Sequence, residues 1–336
     1  MLLIVDGNNV AWAGFHALRR PMGANTPEKY IRAGLLGLTQ SVIGFAVRAG
    51  EPPDANPRRD GQQGLFDSPA ERTSRLVVAF DEGRPLRRRA VFPPYQTGRE
   101  SDPNFMEFEQ YVLEGIREFS EMAKACLPIS VLRGVNTEAD DIIATEALAA
   151  PGPVRICSTD RDFLQLVGER ISIYSPVKRL VITTDNFGDA TAPKAADGTA
   201  VAFPRERYLD YRAASGDASD NLPGIPGVGA LSAAKLVGAL PLDAYFEDPG
   251  QITAVLGRKS ARIDAAFASG EAQEAVTRNR ALMDLRLASA NYPSLDPYRT
   301  TGTWDEPAFR AWVKKQRISA LEVESAVGCM AYIAAQ

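Results

Sequence analysis

The sequence predicts an α/β protein with a mainly parallel central sheet and helices on both faces. Short continuous apolar runs, such as residues 2–5 and 75–80, are typical of strands buried inside such a sheet. These runs alternate with segments of helical periodicity, for example residues 104–125, as in parallel α/β proteins. Several runs end in an aspartate, at the position where open α/β sheets bind their ligands.

Composition limits the possible functions. A chain of 336 residues with 45% apolar and 24% charged residues is an ordinary globular protein of one large domain or two unequal ones. The net charge of −4 argues mildly against nucleic-acid binding, unless the acids gather around metal ions. Three scattered cysteines and one histidine cannot form a Cys/His zinc site and suit a reducing cytoplasm. We expect neither a membrane span nor a signal peptide.

The predicted elements follow one another along the whole chain. Residues 51–74 are rich in proline, glycine and charge, without periodicity, and are expected to form a mobile insertion. Residues 184–203 are expected to be a polar loop, and residues 241–336 mostly helical. The predicted strands are 2–5, 75–80, 129–132, 154–158, 171–174 and 180–183, and the predicted helices are 27–49, 104–125, 138–148, 205–214 and 230–240.

An acidic helix start is the centre of the predicted site. Glu138, Asp140 and Asp141 open a helix for which Thr137 is the expected N-cap, with Asp140 completing a weak capping box. Acids in a first helical turn are also favourable without any function, because backbone N–H groups point there. The strand-end aspartates change this balance, because the carboxyl ends of parallel strands share one sheet edge. These are Asp6, Asp81 and Asp160, with Asp162 close behind.

A second acidic pair precedes a glycine-rich turn. Asp217 and Asp220 are three residues apart and would share a face of a helical turn. Glycines from Gly224 to Gly229 then precede the helix at residues 230–240. Such a turn lets the backbone approach a phosphate, which the N–H groups of the helix start can bind.

A basic tract follows the second strand. It mixes arginines with aromatic residues, as suits a nucleic-acid backbone with exposed bases. A solvated basic loop without function is the alternative. The residues are Arg84, Arg87, Arg88, Arg89, Phe92, Tyr95 and Arg99.

Together these motifs resemble the 5′-nuclease family, which comprises flap endonucleases, bacteriophage 5′–3′ exonucleases and the N-terminal nuclease domain of bacterial DNA polymerase I. The similarity covers roughly residues 1–290 and includes an Arg-Asn-Arg-Ala-Leu-Met-Asp-Leu segment from residue 278. It implies a PIN-like nuclease core in residues 1–204, containing the insertion and a helical arch at about residues 84–125. A helix–three-turn–helix region at 205–300 and a C-terminal helical segment at 301–336 would follow. Because no polymerase segment follows in this sequence, we expect a stand-alone nuclease.

The resemblance implies two Mg²⁺ or Mn²⁺ ions. Nine carboxylates cannot share one pocket without cations, and oxygen ligands favour these metals. Two ions can activate water and stabilise the leaving 3′-oxygen, leaving a 5′-phosphate and a 3′-hydroxyl. Asp141 would bind an ion or support a residue that does. By resemblance, the first ion belongs mainly to Asp6, Asp81, Glu138, Asp140 and Asp160, and the second to Asp162, Asp217 and Asp220.

The resemblance also implies DNA contacts, with one departure from the family. Relatives carry lysine after the arch tyrosine, whereas this chain has Gln96 after Tyr95. We expect Arg99, and next Arg88, to supply the missing cation, beside the catalytic carboxylates Asp6 and Asp81. The duplex, with a K⁺ ion as in relatives, would lie on the glycine turn. The expected DNA-binding residues are Arg84, Arg87, Arg88, Arg89, Tyr95, Gln96, Arg99, Gly224, Gly227, Val228, Gly229 and Lys235.

Three questions stay open from the sequence. Gln96 raises the alternative of a DNA-junction-binding protein with weak catalysis, and a related metal-dependent ribonuclease is a further alternative. Residues 62–66, Gln-Gln-Gly-Leu-Phe, resemble a sliding-clamp-binding peptide, although Leu65 and Phe66 would equally pack back onto their own domain. We expect a monomer that acts on DNA with a 5′ flap or 5′ end.

Overall fold

The computed structural model describes residues 1–48, 72–318 and 321–336. The clamp-like peptide, with Gln62, Leu65 and Phe66, lies outside these ranges, as does nearly all of the insertion at 51–74. Both therefore stay predictions.

A seven-stranded sheet forms the centre of the molecule, in the order β6-β5-β4-β1-β2-β3-β9. Strands β1 to β5 are parallel where they pair, and β6 and β9 run antiparallel at the two edges. The prediction of a mainly parallel α/β sheet is confirmed. The strands are β1 Leu2–Asp6, β2 Arg75–Glu82, β3 Ser130–Val135, β4 Val154–Cys157, β5 Ile171–Ser175, β6 Leu180–Ile182 and β9 Arg299–Thr301, while β7 Gly216–Asp217 and β8 Leu222–Pro223 form a separate hairpin.

Helices cover both faces of the sheet, and those of the second half extend beyond it. The helices are α1 Gly7–Arg19, α2 Pro27–Arg48, α3 Leu86–Val91, α4 Thr97–Ser101, α5 Pro103–Cys126, α6 Ala139–Ala149, α7 Phe187–Thr191, α8 Tyr208–Ser215, α9 Ala230–Ala239, α10 Ala244–Glu247, α11 Gln251–Leu256, α12 Ala261–Ala268, α13 Glu271–Met283, α14 Leu285–Ser289, α15 Glu306–Gln316 and α16 Val323–Ala334.

Side-chain alternation along β1 divides the interior into two cores. Leu3 and Val5 face the core built with α1, α2, α5, α15 and α16. Leu2 and Ile4 face the other core, which contains α6 and much of α8 to α13. Successive strand residues point to opposite faces, so the fully buried β1 holds both layers on one sheet.

Within the described residues, one helix, α2, is long and apolar enough to cross a membrane by length and composition alone. In the fold it packs against α1 and α5, and 61% of its most apolar window is buried. It therefore has the character of a core helix.

Several predicted elements differ from the observed ones. Asp81 lies inside β2 rather than after it, and the loop predicted at residues 184–203 contains α7. The N-cap of α6 is Glu138, not Thr137, so the expected capping box is wrong. Asp217 ends β7 and Asp220 lies in the turn of the β7–β8 hairpin, so the two do not share a helical face.

The C-terminal segment completes the first core. Strand β9 pairs antiparallel with β3, although the sequence showed no strand there. Phe309 of α15 and Met330 of α16 are fully buried in the same core as α1 and α2. In the predicted arch, α5 buries Val112 in that core and packs against α2. The predicted limits of the domains stay predictions.

Candidate metal centre and its carboxylates

The acidic side chains gather where the chain order of the strands reverses. The chain places β2 and β3 on one side of β1, then returns to place β4 and β5 on the other. Asp6 ends β1 and Asp160 follows β4, so both border the crevice at this reversal. A cavity of about 650 Å³ opens there. Its acidic lining consists of Asp6, Asp81, Asp102, Glu109, Glu138, Asp140 and Asp160.

Neutral groups orient the cavity aspartates. Asp6 accepts a hydrogen bond of 2.7 Å from the Ser158 hydroxyl and one of 3.1 Å from the Asn9 backbone N–H. Asp81 accepts one from the Ala139 N–H at the start of α6, while its own N–H donates to the Asn8 side chain at 3.0 Å. Hydroxyl and amide donors fix the orientation of a carboxylate without cancelling its charge.

Burial and mutual repulsion make this charge costly. Burial raises the pKa of Asp6 to about 7, and the charges of Asp81 and Asp160 act in the same direction. Loss of hydration, followed by the charges of Asp160 and Glu138, raises the pKa of Asp140 well above its usual value. A cation at these oxygens would relieve the repulsion, because an opposite charge favours the ionised form.

A second group of acids surrounds Arg88. The Arg88 guanidinium donates to Asp141 at 2.7 and 3.1 Å, forms an ion pair with Glu138, and donates to the Leu282 carbonyl at 2.9 Å. Arg88 is only 4% exposed. Burial raises the pKa of Glu138 to about 7 although the Arg88 charge opposes this shift. Arg88 therefore serves two acids in the interior and does not present its charge at the surface.

Tyr95 and Gln96 belong to the same group. The Tyr95 hydroxyl lies 3.1 Å from a Glu138 oxygen and 3.3 Å from Asp220. The Gln96 amide donates to Glu138 and Asp220 at 2.7 and 3.0 Å. Tyr95 and Gln96 were predicted to contact DNA; both are buried, and their polar atoms are directed at carboxylates.

A third group pairs Asp162 and Asp217 through Arg212. Arg212 lies within 2.8 Å of Asp162 and also forms an ion pair with Asp217. Burial raises the pKa of Asp162 to about 7 despite this arginine. For Asp217 burial acts upward, but hydrogen bonds from Ser219 and the Arg212 charge outweigh it and lower the pKa. No pattern in the sequence singled out Arg212.

The nine predicted acids therefore form three neighbouring groups. The donor chemistry suits a hard divalent cation, since every candidate ligand is a carboxylate oxygen. In the described part of the chain, however, no three His, Cys, Asp or Glu side chains are already arranged to hold one ion. The carboxylates match a cation site, as do the raised pKa values of Asp6, Glu138, Asp140 and Asp162, and ion binding would have to draw the oxygens together.

Arginines and aromatic rings also line the cavity. Arg84 and Arg89 both line the cavity and both form ion pairs with Glu100. Trp12 stacks on Phe105 with ring centroids 5.0 Å apart, and on His16 at 5.7 Å. The sequence reasoning missed Trp12, His16, Asn8, Asn9 and Ser158. For the last three, the signal was their position next to the strand-end aspartates.

The predicted duplex-binding turn is divided between surface and core. Gly227, Gly229 and Lys235 are exposed, whereas Val228 is 5% exposed and packs in the interior. Gly224 is required by the hairpin itself, because a Cβ there would lie 2.4 Å from the Ala214 carbonyl oxygen.

The remaining arginines of the basic tract differ in their surroundings. Arg87 is exposed and lies 3.7 Å from Asp141. The side chain of Arg99, the favoured substitute cation, is not among the described parts of the structure, so its role stays a prediction.

The sequence of this chain is similar to those of known proteins. Residues 65–191 match the model of the family described as 5′-3′ exonuclease, N-terminal resolvase-like domain. DNA polymerase I of Mycobacterium tuberculosis is 32% identical over 288 residues, which cover 84% of this chain and 27% of the polymerase. DNA polymerase I of Bacillus caldotenax is 26% identical over 335 residues, covering 98% of this chain and 34% of that protein. The chain thus spans about a quarter to a third of the length of these curated relatives.

Solved structures show the same fold. A bacteriophage T5 flap endonuclease in complex with DNA and metal ions aligns with a TM-score of 0.56 and 17% identity, covering 100% of this chain and 99% of the other. A bacteriophage T5 5′-exonuclease with bound zinc aligns with a TM-score of 0.57 and 17% identity, covering 95% and 99% of the two chains.

Proposed function

This chain belongs to the 5′-nuclease family, and we propose that it is a structure-specific 5′ nuclease acting on DNA. It would hydrolyse phosphodiester bonds near 5′ ends or flap junctions and leave a 5′-phosphate and a 3′-hydroxyl. The observation that supports this most strongly is the convergence of Asp6, Asp81, Asp140 and Asp160 on one cavity that is also lined by arginines. A cytoplasmic location and a monomeric state are part of the same proposal.

We propose Mg²⁺ or Mn²⁺ as the cofactor, in two positions. When bound, such ions supply Lewis acidity toward the attacking water and the leaving oxygen. The T5 relatives contain metal ions, which supports the proposal. Asp6, Asp81, Glu138, Asp140 and Asp160 would hold one ion, and Asp162, Asp217 and Asp220 the other, with Asp141 supporting Glu138 through Arg88.

Residues of the chain itself orient the proposed metal ligands. Ser158 and Asn9 hold both oxygens of Asp6, and the N–H of Ala139 holds Asp81 against the start of α6. Groups that hydrogen-bond to a metal ligand fix the geometry of that ligand. Replacing such a group typically lowers metal affinity or activity by about 10–100-fold. Arg84 and Arg89, on the cavity wall, would contact the phosphates.

Duplex binding is proposed at the start of α9. The exposed backbone of Gly227 and Gly229 would approach the phosphates, with the Lys235 side chain one turn along the helix and a K⁺ ion at the turn. Val228 would act indirectly, by anchoring the turn in the core.

The test uses flap DNA labelled at either its 5′ or its 3′ end, incubated with Mg²⁺ or with EDTA. Single-turnover cleavage should require the metal and should fall about 100-fold or more in Asp160→Asn. Binding of the flap should largely survive. Asp185→Asn, which changes an exposed aspartate outside the cavity, is the matched control and should cleave normally.

Two outcomes would reject the proposal. Equal rates in EDTA and Mg²⁺ would exclude a metal mechanism. Tight binding of flaps by the wild type without cleavage in Mg²⁺ or Mn²⁺ would favour the junction-binding alternative, which the uncharged Gln96 suggested.

A further inference from the structure

Gln96 uses both hydrogens of its side-chain amide on two acids from distant parts of the chain. The amide nitrogen lies 2.7 Å from a Glu138 oxygen and 3.0 Å from an Asp220 oxygen. Glu138 stands at the start of α6, and Asp220 in the turn of the β7–β8 hairpin. Because Gln96 is only 6% exposed, water competes little for these hydrogen bonds.

The backbone reinforces the same connection. The Gln96 N–H donates to the Asp220 carbonyl at 3.0 Å, and the Asn221 side chain donates to the Pro94 carbonyl at 3.0 Å. Gln96 and Asn221 have φ values of 55° and 59°, in the left-handed region that non-glycine residues rarely adopt. Two uncommon backbone conformations thus meet at one contact, and the hydrogen bonds across it must maintain them.

The amide differs from a cation in one respect that matters here. It donates a hydrogen bond to each carboxylate without placing a positive charge beside them. A lysine ammonium at the same distances would be attracted to each carboxylate, because opposite charges a few ångströms apart interact strongly inside a protein. It would therefore compete with any divalent cation for Glu138 and Asp220.

We propose that Gln96 is a positioning residue: it joins Glu138 to Asp220 without adding a positive charge that would oppose the binding of divalent cations there. This rests on the proposed function for the identity of the site. The consequence is specific to this chain. Its DNA-free form should bind divalent cations more tightly than a variant carrying lysine at this position.

Two variants separate the two halves of the proposal. Gln96→Lys keeps hydrogen-bond donors but adds charge, and Gln96→Met keeps the length but removes the donors. Both retain a Cβ at the same backbone conformation, so the cost of the positive φ is unchanged. Gln273→Lys adds the same charge on an exposed position of α13 and is the matched control.

The first measurement is Mn²⁺ binding to DNA-free protein, followed by electron paramagnetic resonance of the free ion. Gln96→Lys should weaken Mn²⁺ binding about tenfold or more, since a tenfold change requires only about 1.4 kcal/mol. Gln273→Lys should bind as the wild type does. Unchanged or tighter binding by Gln96→Lys would overturn the charge half of the proposal.

The second measurement is amide hydrogen exchange without metal or DNA. Gln96→Met should increase exchange in residues 216–223 and 94–101, the two segments that Gln96 joins, whereas Gln96→Lys should not. Equal protection in Gln96→Met and the wild type would overturn the positioning half. Neither measurement needs cleavage, so failure of the nuclease assay and failure of this proposal are distinguishable.

Discussion

Replacing Arg88 by methionine should destabilise the protein far more than the same change at Arg87. Arg88 is 4% exposed, and it serves Glu138, Asp141 and the Leu282 carbonyl at once. Methionine fills much of the same space without charge. Two buried carboxylates would lose their common cation, and removing one partner of a buried pair costs about 3–5 kcal/mol. We expect a loss in this range in the free energy of unfolding at pH 8, where protonation relieves the acids least.

The assay is urea denaturation in EDTA, followed by far-ultraviolet circular dichroism. The loss should shrink at pH 6, because the pKa of Glu138 is already raised to about 7 and rises further without the Arg88 charge. Arg87→Met is the matched control: its guanidinium is exposed, lies 3.7 Å from Asp141, and should contribute less than about 1 kcal/mol.

One result would refute this reasoning about Arg88. If Arg88→Met unfolds within about 1 kcal/mol of the wild type yet loses most of its single-turnover cleavage, Arg88 acts on the substrate. It would then be the substitute cation that the sequence suggested, and not a structural partner of the two acids.

Two further predictions follow from the charges. In EDTA the folded protein should lose stability as the pH rises from about 4 to about 7 and then level off, because Asp6 and Asp162 have pKa values raised from 3.8 to about 7. The folded state binds more protons than the unfolded state in this window, so the free energy of unfolding decreases as the pH rises, by at most about 4 kcal/mol per group. Denaturation curves measure this change, and an increase in stability instead would contradict the burial of these acids. Lys235→Ala should weaken duplex binding, reduce the slope of log affinity against log salt by about 1, and have little effect on binding to single strands. Lys315→Ala, which changes another exposed lysine, is the control and should leave both duplex affinity and the salt slope unchanged. Gly227→Val is a poorer test, because φ at Gly227 is 85° and the substitution would strain the turn itself.

The meeting of the strand-end aspartates could be predicted from the sequence, because their positions follow from strand geometry. An apolar run followed by an aspartate marks a strand end, and parallel strands bring such ends to one edge. Asp6, Asp81 and Asp160 therefore meet as expected. The fold class follows from the same alternation of strands and helices.

The missed features depend on long-range contacts. A spacing of three residues suits either a helical face or a hairpin turn, and the left-handed Gly216, with φ of 73°, allows the hairpin. Strand β9 has only three residues, so it shows no period of its own and depends on the free edge of β3. Among Arg87, Arg88 and Arg89, only the middle one is buried, because α3 turns that position toward the acidic helix.

The positions of the buried arginines indicate which of the three groups of acids binds a metal ion most readily. Arg88 and Arg212 each join two acids, so Glu138, Asp141, Asp162 and Asp217 already have a permanent counter-charge. Asp6 instead accepts hydrogen bonds from a hydroxyl and a backbone N–H, and its pKa is raised. An ion entering the cavity therefore gains most at Asp6, Asp140 and their neighbours, where repulsion is relieved without displacing an arginine. An ion at Asp162 and Asp217 must compete with Arg212, so the proposed two positions should differ in affinity, with the cavity position filled first.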